Sequence, residues 1–119
     1  MKIKLHHVNL CSGNVPAMNE FYRGVLDMEP ESSLEANRDL GGGYAGKVAF
    51  LSDGATQFHL AEKDLGVGFR TDDIATVKQR LKEKGIPFSD FGAWAMKGWE
   101  QVFFYDPDGN IIEVHQVRE

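Results

Sequence analysis

Phe103–Gln116 reads FFYDPDGNIIEVHQ: a β-prone run, a turn and a second β-prone run. Pro107 presets φ at the first corner of the turn, and Gly109 takes the position that calls for φ > 0. The segment is therefore read as a hairpin. Alternation along the returning strand sends Ile112 and Val114 to one face and Ile111, Glu113 and His115 to the other. A carboxylate in such a strand is costly unless it is paired, protonated or bound to a metal. Glu113 is thus the residue from which a functional reading starts, with His115 on its face.

A second hairpin of the same pattern lies upstream. Val48–Leu60, VAFLSDGATQFHL, matches Val102–Val114, VFFYDPDGNIIEV, in its apolar runs and its Asp-Gly turn. Working outward, Lys2–Leu10 reads as a strand with Leu5, His7 and Asn9 on one face and His6, Val8 and Leu10 on the other. Asn14 suits an N-cap and Pro16 a first helical turn, and Met18, Phe21, Tyr22 and Val25 recur at helical spacing, which predicts a helix over 15–26. Residues 31–43 are polar, end in three glycines and read as a loop in which a short strand could hide. Strands are expected at Tyr44–Ser52, Gln57–Ala61 and Val67–Thr71. A second helix starts near Asp72 or Asp73, carries Ile74, Val77 and Leu81 on its apolar stripe, and ends at Gly85. Phe88–Trp94 and Gln101–Asp106 complete the set of strands.

In this order the elements repeat. The expected fold is α+β, one domain over residues 1–119, built of two βαβββ modules, residues 1–62 and 67–119. Two helices are too few to cover both faces of a sheet, so each sheet keeps one open face, and the open faces look into a shared cleft.

Composition bounds the partners. The chain has 119 residues, 42% hydrophobic and 26% charged, with a net charge of -5. No basic stripe is present to neutralise phosphates, which argues against nucleic acid. The single cysteine, Cys11, excludes an intrachain disulfide framework and suits a reducing cytoplasm. MKIKLHHVNL alternates in polarity, unlike a signal peptide, and no run approaches the ~18 apolar residues of a membrane span.

HHVNL, a loop, PAMNEFYRGVL and the closing FYDPDGNIIEVH together resemble the vicinal oxygen chelate superfamily, which includes glyoxalase I, extradiol dioxygenases, fosfomycin-resistance transferases and bleomycin-resistance proteins. The resemblance implies an open, cup-shaped barrel around a divalent metal that chelates vicinal oxygens of a substrate. It places a first-strand ligand at His7, one from the last strand of module one at His59, and a glutamate after the DPDG turn at Glu113. At the start of module two, GVGFRTDD puts Gly66, which has no side chain, where the family usually has a ligand. His7, His59 and Glu113 remain, with His115 in reserve. Two histidines and a carboxylate suit Fe, and equally Zn, Mn, Ni or Co. A histidine in a strand is more often structural than a ligand; His6, pointing to the helix side, and His115, near a strand end, are read that way. Glu113 has its own alternatives, a protonated carboxyl or a salt bridge to Arg70.

Phe88 and Phe91 are read as core. Trp94 and Trp99 flank a glycine-containing turn, and one of them is placed to wall the cleft. Lys97 reads as solvated and Cys11 as structural.

The expected function is that of a divalent-metal-dependent enzyme of the glyoxalase type, a lyase or isomerase in which Glu113 is the catalytic carboxylate, acting on a small substrate with vicinal oxygens. The alternatives are a metal-free small-molecule binder of the bleomycin-resistance type and an extradiol-type dioxygenase. Only six residues separate His59 from Gly66. So short a link suggests a homodimer with exchanged modules, its cleft taking His7 from one chain and Glu113 from the other.

Overall fold

The computed structural model describes residues 1–33, 47–62, 64–92 and 96–118, with the backbone alone at Phe91 and Gly92. The described elements run β1 (Ile3–Cys11), α1 (Val15–Leu26), β2 (Glu29–Pro30), β3 (Val48–Ser52), β4 (Gln57–Ala61), β5 (Val67–Thr71), α2 (Ile74–Glu83), β6 (Ser89–Gly92), β7 (Trp99–Tyr105) and β8 (Ile111–Val117). This is βαβββ twice over. The eight strands form one curved open sheet in the order β2-β3-β4-β1-β5-β8-β7-β6.

Local chemistry sets the helix bounds. The Asn14 side chain accepts a hydrogen bond from the amide of Ala17, and Asp73 does the same for Thr76, each satisfying a backbone donor that a helix start leaves unpaired. Each helix covers one half of the sheet. Under α1, Val15, Leu51 and Leu60 are buried, with Met18, Tyr22 and Phe58 packed around them. Under α2, Ile74, Val77 and Leu81 meet Val102 and Val114, with Phe69, Phe88 and Ile112 at the margin. Ile112 and Val114 thus look toward the helix, as alternation requires, and Glu113 and His115 look away. Among the described residues no helix is long and apolar enough to cross a membrane.

Boundaries differ at three places. The strand expected at Tyr44–Ser52 begins at Val48, with 44–46 outside the described residues. A short strand lies at Glu29–Pro30, just before the loop expected over 31–43, and pairs with Leu51 and Ser52; residues 34–43 of that loop lie outside the described residues. The strand expected over Phe88–Trp94 is Ser89–Gly92; Trp94 lies outside the described residues.

The two halves join within one chain. β1 runs parallel to β4 and antiparallel to β5, while β5 runs parallel to β8. β4 and β5 therefore flank β1, two strand spacings or about 10 Å apart. The connector, residues 62–66, spans that gap easily at up to ~3.3 Å per residue. His7 and Glu113 consequently face one another within a single chain, an arrangement that needs no exchange of modules between two chains.

One irregularity matters for the site. β1 and β5 pair Leu5 with Phe69 and then His7 with Gly68, so His6 is an extra residue on β1. Such a bulge breaks strict alternation and re-aims the side chain at that point.

Candidate metal centre

The open face of the central strands gathers four histidines, His6, His7, His59 and His115, around Glu113. His7 and Glu113 sit on either side of β5, both in register with Gly68. His7 Nε2 lies 3.7 Å from Glu113 Oε2. Gly68 makes room for this pair: a Cβ there would overlap the His7 ring. His115 follows two residues along β8, its Nδ1 at 2.9 Å from Glu113 Oε1. Gln101, across from His115 on β7, donates to the same carboxyl oxygen from 3.2 Å.

His6 belongs to this group, contrary to the expectation that it points to the helix side. The bulge turns it inward, where its Nδ1 lies 2.7 Å from Nδ1 of His7 and its ring meets His115 edge-on at 4.9 Å between centroids. One ring nitrogen from each of His6, His7 and His115 falls within 4.8 Å of the others. His115 likewise stands deeper than a strand end implies, because β8 pairs with β7 as far as Val117. It is fully buried, with its ring stacked on Trp99 at 3.6 Å and 5°.

His59 is brought to the site in another posture. Its ring stacks face to face on His7 at 3.8 Å and 11°, and its Nε2 lies 2.7 Å from Gln57 Oε1. A histidine binds a metal in the plane of its ring, and two nearly parallel rings stacked in this way do not aim at one point. His7 and His59 therefore reach the same cleft without converging on a common ion in this arrangement.

Gly66 supplies no ligand. Its φ is +71° and a Cβ would collide with the backbone of Ile111, so the backbone itself excludes a side chain. Arg70 reaches not Glu113 but His115, with its Nε 3.0 Å from Nε2.

Burial dominates the electrostatics. Removal from water disfavours the charged form, which pushes the Glu113 carboxyl up to about 8 against a smaller downward pull from Gln101 and Arg70. Desolvation, then the neighbouring His6, His115 and Arg70, hold His7 down to about 2. Desolvation first holds His6 and His115 down to about 3, with His115, Arg70 and Lys4 adding to it at His6 and Arg70 adding to it at His115. His59 is lowered still further, again chiefly by burial. These imidazoles are thus neutral and carry lone pairs. The His115–Glu113 contact is a hydrogen bond from a neutral ring rather than an ion pair.

Above this floor lies a cleft of about 440 Å³, counting its open mouth, walled by Val48, Phe50, Leu65, Met96, Trp99 and Phe103. Trp99 is the cleft-lining tryptophan among the described residues.

The family model described as Glyoxalase/Bleomycin resistance protein/Dioxygenase superfamily matches residues 4–114. Among solved structures, the hypothetical protein BH1468 from Bacillus halodurans C-125 superposes with a TM-score of 0.76 at 20% identity, over 100% of this chain and 97% of that one. A single-residue variant of Streptomyces coelicolor methylmalonyl-CoA epimerase, in complex with 2-nitronate-propionyl-CoA, gives 0.69 at 18% identity, covering 98% of both chains. Methylmalonyl-CoA epimerase from Mycobacterium tuberculosis gives 0.67 at 18% identity, over 97% of this chain and 88% of that one. No curated protein sequence matches. The superpositions carry the fold, and the family model, spanning nearly the whole sequence, carries the conclusion: the chain belongs to the glyoxalase, bleomycin-resistance and dioxygenase superfamily.

Proposed function

We propose that the protein is a divalent-metal-dependent enzyme of the glyoxalase type, a lyase or isomerase acting on a small substrate with vicinal oxygens. The observation that carries this reading is the 3.7 Å separation of His7 Nε2 from Glu113 Oε2. It is too long for a hydrogen bond. Two ligand atoms each about 2.1 Å from one ion stand roughly 3.4 Å apart at a tetrahedral angle, so the pair fits a shared cation. The donor types suit Zn, Ni, Fe, Mn or Co alike. Lone pairs on neutral imidazoles, and a buried carboxyl whose ionisation a nearby cation would favour, suit the site to a metal.

A metal held there would polarise a substrate carbonyl or enediolate oxygen as a Lewis acid. The chain's own residues do the rest. His7 and Glu113 would hold the ion, and His6 braces His7 through the Nδ1 contact. Phe50, Met96, Trp99 and Phe103 exclude water and take the apolar part of the substrate. Glu113, expected as the catalytic carboxylate, would serve the ion in this reading, because Gln101 and the shorter of the two His115 contacts engage its other oxygen. A homodimer in a reducing cytoplasm completes the proposal, in keeping with the exposed thiol of Cys11.

A second reading, metal-free binding of an apolar small molecule, is favoured by the walls of the cleft. An extradiol dioxygenase is less well served, since β5 brings a glycine, Gly68, into register with His7 and Glu113 and offers no second histidine there. The test is solvent deuterium exchange into a panel of small α-hydroxy carbonyl and dicarbonyl compounds. Exchange by zinc-, nickel- or cobalt-loaded protein that stops with chelator supports the enzyme. Tight binding without exchange in the stripped protein supports the binder.

A further inference from the structure

Both ring nitrogens of His115 are engaged. Nε2 lies 3.0 Å from Arg70 Nε, and Nδ1 lies 2.9 Å from Oε1 and 3.2 Å from Oε2 of Glu113. An arginine Nε–H only donates, so His115 Nε2 accepts. A neutral ring then has its hydrogen on Nδ1, where it donates to Glu113. An imidazolium would set two N–H groups against each other across the 3.0 Å contact. Stacking on Trp99 at 3.6 Å fixes the ring plane, and the Arg70 guanidinium carbon lies 5.5 Å from the centre of the same indole, close enough for a cation–π attraction.

Strand register builds this arrangement. β5 and β8 run in parallel with Gly68 beside Glu113 and Arg70 beside His115. Residues two apart share a face, so the gap left by Gly68 and the reach of Arg70 fall on consecutive positions of one open face. A slip of one residue would send Arg70 to the helix side.

We propose that Arg70 and His115 form a positioning relay, from Arg70 Nε–H to His115 Nε2 and from His115 Nδ1–H to Glu113 Oε1, that turns Glu113 Oε2 toward His7, and that His115 is not itself a ligand. The consequence for the ion rests on the functional reading above; the relay does not. Carboxylate rotation about the terminal torsion of a glutamate is loosely restrained. Gln101 donates to Oε1 from 3.2 Å, and His115 Nδ1 lies nearer Oε1, at 2.9 Å, than Oε2, at 3.2 Å; together they remove that freedom and leave Oε2 as the less engaged oxygen, the one presented to His7. The relay also decides between donor sets. Of the three clustered histidines, His115 is the one with both nitrogens engaged, and its role is to orient a ligand. Partners of this kind, hydrogen-bonded to a ligand, typically change metal affinity about 10–100-fold when lost, by the general behaviour of metal sites.

The first arm of the test uses long-range proton–nitrogen correlation spectra of the ¹⁵N-labelled, metal-stripped full chain at pH 7, with the His115 signals assigned by their loss in His115→Asn. Expected is a neutral His115 ring protonated on Nδ1, and mixed tautomers in Arg70→Met. A ring protonated on Nε2 or on both nitrogens overturns the relay, as does an unchanged ring in Arg70→Met. The second arm is zinc affinity by competition with a chromophoric chelator. Asparagine can place its amide N–H near the position of Nδ1, whereas glutamine places its own near Nε2. His115→Asn is expected to hold zinc within about threefold of wild type, and His115→Gln and Arg70→Met to lose about 10–100-fold. Equal, large losses in the Asn and Gln variants would make His115 a direct ligand and overturn the proposal. If wild type takes no zinc yet shows the Nδ1–H ring, the metal reading fails and the relay stands.

Discussion

The imidazole of His7 occupies the space that a side chain on Gly68 would need. β1 and β5 bring the two into register, and His59 stacks on the same ring. Gly68→Ala therefore has nowhere to put its methyl group without displacing His7. Overpacking of this kind costs about 1–3 kcal/mol. Urea denaturation is expected to show that loss, with zinc binding weakened alongside it. A variant with unchanged stability and zinc affinity would show that the ring does not sit over Gly68.

His59 separates two ways of building the centre. Its ring lies parallel to His7 and its Nε2 is joined to Gln57, so it is a wall of the cleft. His59→Gln is expected to retain the bound metal in full by elemental analysis while changing how the cleft takes substrate. Loss of the metal in this variant would restore His59 as a ligand, as the family resemblance implies.

The metal-stripped protein should be most stable near pH 6.5. The buried imidazoles of His7, His59 and His115 titrate below their ordinary 6.5, so the unfolded chain binds more protons than the folded one once pH drops through 6.5. Stability then falls with acidification, by up to about 1.4 kcal/mol per pH unit for each fully shifted group. His6, more open to solvent, adds less. Glu113 acts in the opposite sense: raised from 4.5 to about 8, it stabilises fully below 4.5, and that contribution is lost as pH rises toward 8. Thermal denaturation from pH 4 to 9 should show a decline on both sides, the alkaline one absent in Glu113→Gln. A flat profile between pH 4 and 6.5 would mean that these rings are hydrated or charged.

Much of this was legible in the sequence, for reasons that can be named. Asn14 and Pro16 mark the start of α1, and Asp73 marks that of α2, because helix caps are local chemistry. Alternation put His7 and Glu113 on open faces because side-chain direction in a strand needs no knowledge of its neighbours. His6 was misplaced because a bulge arises from pairing, here between Leu5–His7 and Phe69–Gly68, and nothing in LHHVN announces it. The place of Gly68 was hidden for a similar reason: antiparallel register between β1 and β5, not position along the chain, sets it against His7. Alternation shows His115 on the face of Glu113, but its place near the chain end hides its depth, and nothing local to Arg70 signals that the two meet across strands.

The most direct test of the centre is the metal content of the purified protein, of His7→Ala and of Glu113→Gln, by plasma mass spectrometry after loading with zinc, nickel, cobalt or manganese and desalting. Expected is about one ion per chain in the wild type, lost in both variants while their circular dichroism stays native. No bound ion in the wild type under any loading condition, or an ion retained in both variants, would contradict a centre held by His7 and Glu113.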